Sequence, residues 1–168
     1  MDKKQIISIS NLSKRFKIGN GEFTALNNIN LTFSEGEFAG LVGPSGSGKT
    51  TLLNIIGTLD VPTSGDAFVL GQSVSALTHS KAAMLRNMNI GFIFQTYNLL
   101  PVYTVYENVE FALLLQKKNN AERKTAVMEA LDWVGLADRA KSRPSQLSGG
   151  ECQRVAIARA MVKHPVLV

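Results

Sequence analysis

The sequence predicts an α/β fold, and three features carry that expectation. Apolar residues alternate with polar ones at Ile29, Leu31 and Phe33, the period of a half-buried strand. After Gly48 the period changes, and Leu52, Leu53, Ile55, Ile56 and Leu59 recur at helical spacing. Between the two patterns lies a glycine-rich stretch, Gly43 to Gly48, which no regular element accommodates readily.

The elements follow in order. Gln5 to Ser10 is a short β-rich run, and Gly19-Asn20-Gly21 has turn chemistry. Ser34-Glu35-Gly36-Glu37 turns the chain, and Phe38 to Val42 is a short apolar run expected as a buried strand. Pro62 and Gly65 close the helical pattern that begins after Gly48. Ala67 to Leu70 and Ile90 to Phe94 are strand candidates, with a helix expected around Lys81 to Arg86. Val105 to Val134 reads as mostly helical, broken near Lys117 to Asn120. A last helix is expected from about Gly149 to Lys163, stopping before Pro165. Val166-Leu167-Val168 begins another apolar strand.

The 168 residues are enough for one compact domain, and the composition, 45% hydrophobic and 18% charged, is globular rather than disordered. No apolar run approaches the length of a membrane span, and Met1-Asp2-Lys3-Lys4 does not lead into a signal-peptide core, so a cytoplasmic location is expected. One cysteine, Cys152, allows no internal disulfide. Net charge is +5, but between Lys117 and Arg143 seven basic residues intersperse with four acidic ones along helical stretches. That is an ordinary solvated surface, and no nucleic-acid partner is expected.

Gly43-Pro44-Ser45-Gly46-Ser47-Gly48-Lys49-Thr50 fits the phosphate-loop pattern G-x-x-x-x-G-K-[ST]. A sequence of this composition yields about 0.01 such matches by chance. Glycines let consecutive N–H groups turn inward toward phosphate oxygens, and the following helix adds its positive end. Lys49 is placed for the β- and γ-phosphates and the Thr50 hydroxyl for Mg²⁺, with Thr51 in the same first turn.

Leu147-Ser148-Gly149-Gly150-Glu151-Cys152-Gln153-Arg154 opens the last helix. Ser148 and Glu151 have capping-box spacing, which by itself specifies only a well-started helix. Two adjacent glycines cost helix stability and permit close backbone approach, so a second anion site is the competing reading.

A phosphate loop followed about a hundred residues later by L-S-G-G-x-x-Q-R resembles the ATP-binding-cassette (ABC) ATPases, and the resemblance runs over essentially the whole chain. It implies a P-loop fold with a parallel core sheet, an antiparallel β subdomain near the N-terminus and a helical insert over about 105–147, all in a single ATP-binding domain. It implies ATP and Mg²⁺ as cofactors. Phe16 falls where the family stacks an aromatic on adenine, more often tyrosine, and Gln95 falls at the family's glutamine that contacts Mg²⁺ or the attacking water. Lys49 and Gln95 are thus the implied catalytic residues. Ser148, Gly149 and Gly150 would close over the γ-phosphate bound by a second, head-to-tail subunit. The Gln95 to Asn108 segment would pass the movement to a membrane permease, placing the protein on the inner face of the membrane.

Finer detail is similar to the macrolide-export and lipoprotein-release branch: the loop Gly43 to Gly48, Asn54-Ile55-Ile56-Gly57-Thr58-Leu59-Asp60, and Phe94-Gln95-Thr96-Tyr97-Asn98-Leu99-Leu100-Pro101 with Glu107-Asn108-Val109. Cys152 departs from the commoner glutamine and is expected to be a neutral substitution. No Asp or Glu follows Glu151, whereas the family needs a carboxylate on the strand that Val166-Leu167-Val168 resembles, and His164 is not its switch histidine. The family pattern is therefore expected to continue past Val168, and these residues alone to be inactive in hydrolysis. Two other readings stay open: a non-transport ABC ATPase of cell-division or soluble type, and a fragment that does not hydrolyse ATP.

Overall fold

The computed structural model describes residues 4–19 and 21–168, and the chain divides into two compact units, Met1–Ala83 and Met84–Val168. The expectations for Met1 to Lys3 and for Asn20 lie outside the described residues.

The first unit is built on an antiparallel sheet. β1 (Gln5–Ile18) and β2 (Gly21–Ser34) form a long hairpin whose register runs from Ile18↔Gly21 to Gln5↔Ser34. β3 (Ser64–Val69) pairs with the other edge of β1, and the two-residue β4 (Gln72–Ser73) completes the order β2-β1-β3-β4. The alternation expected at 29–33 is present: Ile29, Leu31 and Phe33 are half-buried, while Asn30 and Thr32 face solvent. The turn expected at Ser34 to Glu37 also forms, with Glu37 N–H donating to Ser34 O at 3.2 Å and Ser34 N–H donating to the Glu37 carboxylate at 3.0 Å. Helix α1 (Lys49–Ile56) buries Leu52, Ile55 and Ile56 and contacts β2 and β3, while Ile7, Ile9, Leu12, Ala67 and Val69 fill the sheet side. Each large side chain so buried contributes about 1.5–3 kcal/mol.

One expectation here is overturned. Phe38 to Val42 is not a buried strand: it has no regular structure, and Phe38 and Val42 are 103% and 98% exposed. Five apolar residues are not enough for a strand without backbone partners on a neighbouring strand, and Gly40 further weakens the run.

Helix α2 (His79–Asn89) spans the boundary in the chain between the two units, and in the second unit three helices share one core. Helix α3 (Val105–Glu110) supplies Val105 and Val109, α4 (Asn120–Trp133) supplies Val127, Ala130 and Leu131, and α5 (Gly149–Met161) supplies Val155 and Ala158. Each of the three starts with a reciprocal capping box: Thr104 with Glu107, Asn119 with Glu122, Ser148 with Glu151. Such boxes satisfy N–H groups that a helix start leaves orphaned. The break anticipated near Lys117 to Asn120 lies between 3₁₀ turn 111–113 and α4.

The strands expected at Ile90 to Phe94 and at Val166 to Val168 contract to a single parallel bridge, Ile90↔Leu167. Gly91 N–H donates to Leu167 O at 2.8 Å, and Leu167 N–H donates to Asn89 O at 3.1 Å. Gly91 is required here, because a Cβ would stand 2.8 Å from Ala160 O of α5. The class is thus mixed α/β, with an antiparallel sheet and helices, and this bridge is the parallel pairing among the described residues.

Candidate functional site: a glycine loop on an uncapped helix

The loop Gly43 to Gly48 runs directly into α1. Gly48, the N-cap, has φ +85°, and no side chain caps the helix. The N–H groups of the first turn, Lys49, Thr50 and Thr51, therefore lack intrahelical acceptors and face outward with the positive end of the helix dipole. This differs from α3, α4 and α5, whose own side chains occupy that position.

Gly48 has a steric reason to be there, whereas at Gly43 a Cβ would meet only a rotatable hydroxyl. A Cβ on Gly48 would lie 2.5 Å from Ala25 O and 2.8 Å from Leu26 Cδ2 on β2. A Cβ on Gly43 would lie 2.8 Å from Ser47 Oγ. The loop is closed by Lys49, whose ammonium donates to Gly43 O and Pro44 O, each at 2.7 Å, and to Ser47 Oγ at 3.2 Å. The lysine charge thus sits inside the curl of the loop. Pro44, Ser45, Gly46 and Ser47 are exposed, as is Thr50.

These residues fit a triphosphate: one enclosed cation, a set of free N–H groups and a helix N-terminus converge on one small exposed surface. The Thr50 hydroxyl offers one oxygen for a divalent cation. Among the described residues there is no cluster of three His, Cys, Asp or Glu side chains able to hold a metal. A hard cation that keeps several waters and binds chiefly to phosphate oxygens matches so sparse a donor set.

Phe16 stands near the end of β1, paired across the hairpin with Phe23. Both rings are exposed, at 39% and 48%. Lys14 Nζ lies 5.0 Å from the centroid of the Phe16 ring. That ammonium is fixed by Asp60 Oδ1 at 2.6 Å and by Val61 O at 2.8 Å. A cation against an aromatic face is attractive, by about 0.5–1 kcal/mol at exposed sites. Sequence reasoning passed over Lys14 and Phe23; the i, i+2 spacing of Lys14 and Phe16 on one strand face is the signal that points to Lys14.

In the second unit Gln95 begins an exposed turn after Gly91-Phe92-Ile93-Phe94. Tyr97 N–H donates to Phe94 O at 3.1 Å, and Tyr97 and Asn98 both take left-handed backbone, φ +58° and +47°. Their carbonyls are bound by Arg159 of α5: Nη2 donates to Tyr97 O at 2.6 Å and Nη1 to Asn98 O at 2.7 Å. The segment after it is organised by Asn108, which is fully buried. Its Oδ1 accepts from Leu100 N–H at 2.7 Å, and its Nδ2 lies within donating distance of Leu100 O, Tyr103 O and Thr104 O. Arg159 is not singled out by the sequence, and Asn108 enters there only within the Glu107-Asn108-Val109 motif and as the end of the Gln95 to Asn108 segment. Asn108 does carry a signal, a polar residue at the buried phase of α3 between Val105 and Val109.

Ser148 is the N-cap of α5. Its Oγ accepts from Glu151 N–H at 3.3 Å, and its own N–H and hydroxyl both donate to Glu151 Oε2 at 2.8 Å. The backbone N–H and then the hydroxyl of Ser148 hold the Glu151 carboxyl below the usual carboxylate range. Gly149 and Gly150 are exposed at the helix start. Cys152 points at Pro144 O, 3.7 Å away, and burial pushes its thiol upward, so it is a poor thiolate and a small packing group.

Residues 26–168 match the family model described as ABC transporter. Among solved structures, a dimeric post-hydrolysis state of the ATP-binding cassette MJ0796 bound to ADP and Pi superposes with a TM-score of 0.87 at 41% identity, covering 95% of this chain and 71% of that one. A dimeric structure of MJ0796, described as a bacterial ABC transporter cassette, gives 0.88 at 42% identity, with the same coverage. No helix among the described residues is long and apolar enough to cross a membrane. With the phosphate loop and the Ser148-Gly149-Gly150 helix start inside the matched region, the chain belongs to the ABC transporter family of ATPases.

Proposed function

We propose that this protein is the ATP-binding subunit of an ABC transporter, coupling ATP binding and hydrolysis to the work of a partner membrane permease. The observation that carries the reading is the uncapped start of α1 with Lys49 curled into the glycine loop. Residues Gly43 to Thr51 hold the triphosphate, and Phe16 stacks on the base with the face that Lys14 leaves open. Thr50 would hold a bound Mg²⁺ through its hydroxyl, and Gln95 would hold the metal or the attacking water, as the family pattern implies. A bound Mg²⁺ would supply charge neutralisation on the phosphates. Lys49 supplies fixed positive charge, and Gln95, on an exposed turn, orients water or metal. Residues 152–168 contain no Asp or Glu, so the carboxylate that positions the metal's water shell is not among them.

Two copies work head to tail, with Ser148, Gly149 and Gly150 of one closing over the γ-phosphate held by the other. The similar MJ0796 cassettes are dimeric, which supports a second subunit. The protein then lies on the cytoplasmic side of the membrane, held there by the permease. The motifs around Asn54 to Asp60 and Phe94 to Pro101 favour the macrolide-export and lipoprotein-release branch. The test is Ser148→Arg in the full-length protein. Binding of a fluorescent ATP analogue by the monomer is expected to stay within about twofold of wild type, while ATP-driven dimerisation on size exclusion is lost. Parallel loss of both would reject the cross-dimer arrangement.

A further inference from the structure

Arg159 carries no acidic partner among the described residues. Burial lowers its pKa, yet its two terminal nitrogens are spent on two adjacent carbonyls, those of Tyr97 and Asn98. A planar fork suits this, because the pair of left-handed residues turns both carbonyls toward one point. A backbone that makes two successive left-handed turns at non-glycine residues is costly and persists only when something holds it. The Tyr97 side chain then lies toward the other end of α5: a Cβ on Gly149 would stand 3.5 Å from the Tyr97 hydroxyl. Gly149 and Arg159 are ten residues apart on one continuous helix, a span of about 15 Å. The turn that carries Gln95 is therefore laid along the helix that carries Ser148-Gly149-Gly150, bound by Arg159 near one end and with the Tyr97 hydroxyl beside Gly149 at the other.

We infer that Arg159 is a positioning residue that ties the Gln95 turn to α5, so that the start of α5 and the Gln95 turn move as one body within a subunit. The inference rests on the ATPase reading given above. Nucleotide engaged at the α5 N-terminus would then reach Gln95 without passing through the phosphate loop. Arg159→Lys keeps the charge but can serve only one carbonyl well, and Arg159→Met keeps the packing and serves neither.

The experiment uses the full-length protein and three readouts: hydrogen exchange of the amides in 95–100 with and without Mg-ATP, steady-state ATP turnover, and the melting temperature. For Arg159→Lys, exchange in 95–100 without nucleotide is expected to rise about tenfold, the cost of one charge-assisted hydrogen bond. Turnover is expected to fall about tenfold in kcat, with KM for ATP within about twofold and melting within a few degrees of wild type. Arg159→Met should show the same pattern, larger; if it does not fold, Arg159→Lys carries the test. Exchange within twofold of wild type would overturn the tie. Faster exchange with unchanged kcat would reduce Arg159 to a purely structural residue and overturn its positioning role. A wild-type protein without turnover would refute the ATPase reading and the positioning role with it, an outcome told apart by the wild-type control alone.

Discussion

Replacing Gly48 by alanine tests the geometry of the phosphate loop. The residue sits at φ +85°, where a side chain costs about 1–2 kcal/mol. Its new Cβ would stand 2.5 Å from Ala25 O and 2.8 Å from Leu26 Cδ2, closer than real Cβ atoms come, so α1 or β2 has to shift. Such overpacking costs about 1–3 kcal/mol, for a total of about 2–5 kcal/mol. Gly46 is the internal control. It has a similar φ, +79°, but no atom lies within 4 Å of its would-be Cβ, so Gly46→Ala pays the strain alone, about 1–2 kcal/mol. Urea denaturation in the absence of nucleotide, with hydrogen exchange of the α1 amides to localise the loss, measures both variants. The Gly48 variant is expected to lose about 1–3 kcal/mol more than the Gly46 variant. Losses equal to within about 0.5 kcal/mol would refute the argument that close approach to β2 dictates the glycine.

Asn108→Leu should destabilise the second unit by about 2–4 kcal/mol, because it strands Leu100 N–H and several carbonyls without their buried partner; denaturation with a loss under about 0.5 kcal/mol would contradict that role. Glu151 gives a pH signature. Its folded pKa lies below the unfolded value, so its contribution is present above the ordinary carboxylate range and is lost as pH falls through the folded pKa. Glu151→Gln should therefore start α5 less stably than wild type near neutral pH and match it in acid, read as amide exchange in 149–152; a difference that persists or grows in acid would contradict the sign.

What the sequence revealed and what it hid divide along locality. The phosphate loop was legible because its chemistry lies within eight consecutive residues, Gly43 to Thr50, followed by a helix of clear period. The Ser148–Glu151 cap was legible for the same reason, since both partners lie within one helical turn. The second half of β1 was not, because Lys14, Arg15 and Lys17 break the apolar pattern and the strand is held instead by its hairpin with β2. Phe38 to Val42 misled in the opposite sense: its side chains favour a strand, but strand formation depends on backbone partners that local composition does not report. Asn108 showed only as a polar residue at a buried phase of α3, and Arg159 was out of reach because its partners are backbone carbonyls. They are separated from it by 61 and 62 residues, and no sequence pattern marks a carbonyl as an acceptor.

The central claim is that the glycine loop and Lys49 bind the triphosphate of ATP. Titrating a fluorescent ATP analogue in the presence of Mg²⁺ into full-length wild type and Lys49→Ala tests it most directly. Lys49→Ala removes the only side-chain ammonium donating into the loop carbonyls among the described residues. The account predicts saturable binding to wild type and an affinity at least about tenfold weaker for Lys49→Ala, the scale of one lost charge-assisted contact. Equal affinity in the two proteins, within about twofold, would contradict it.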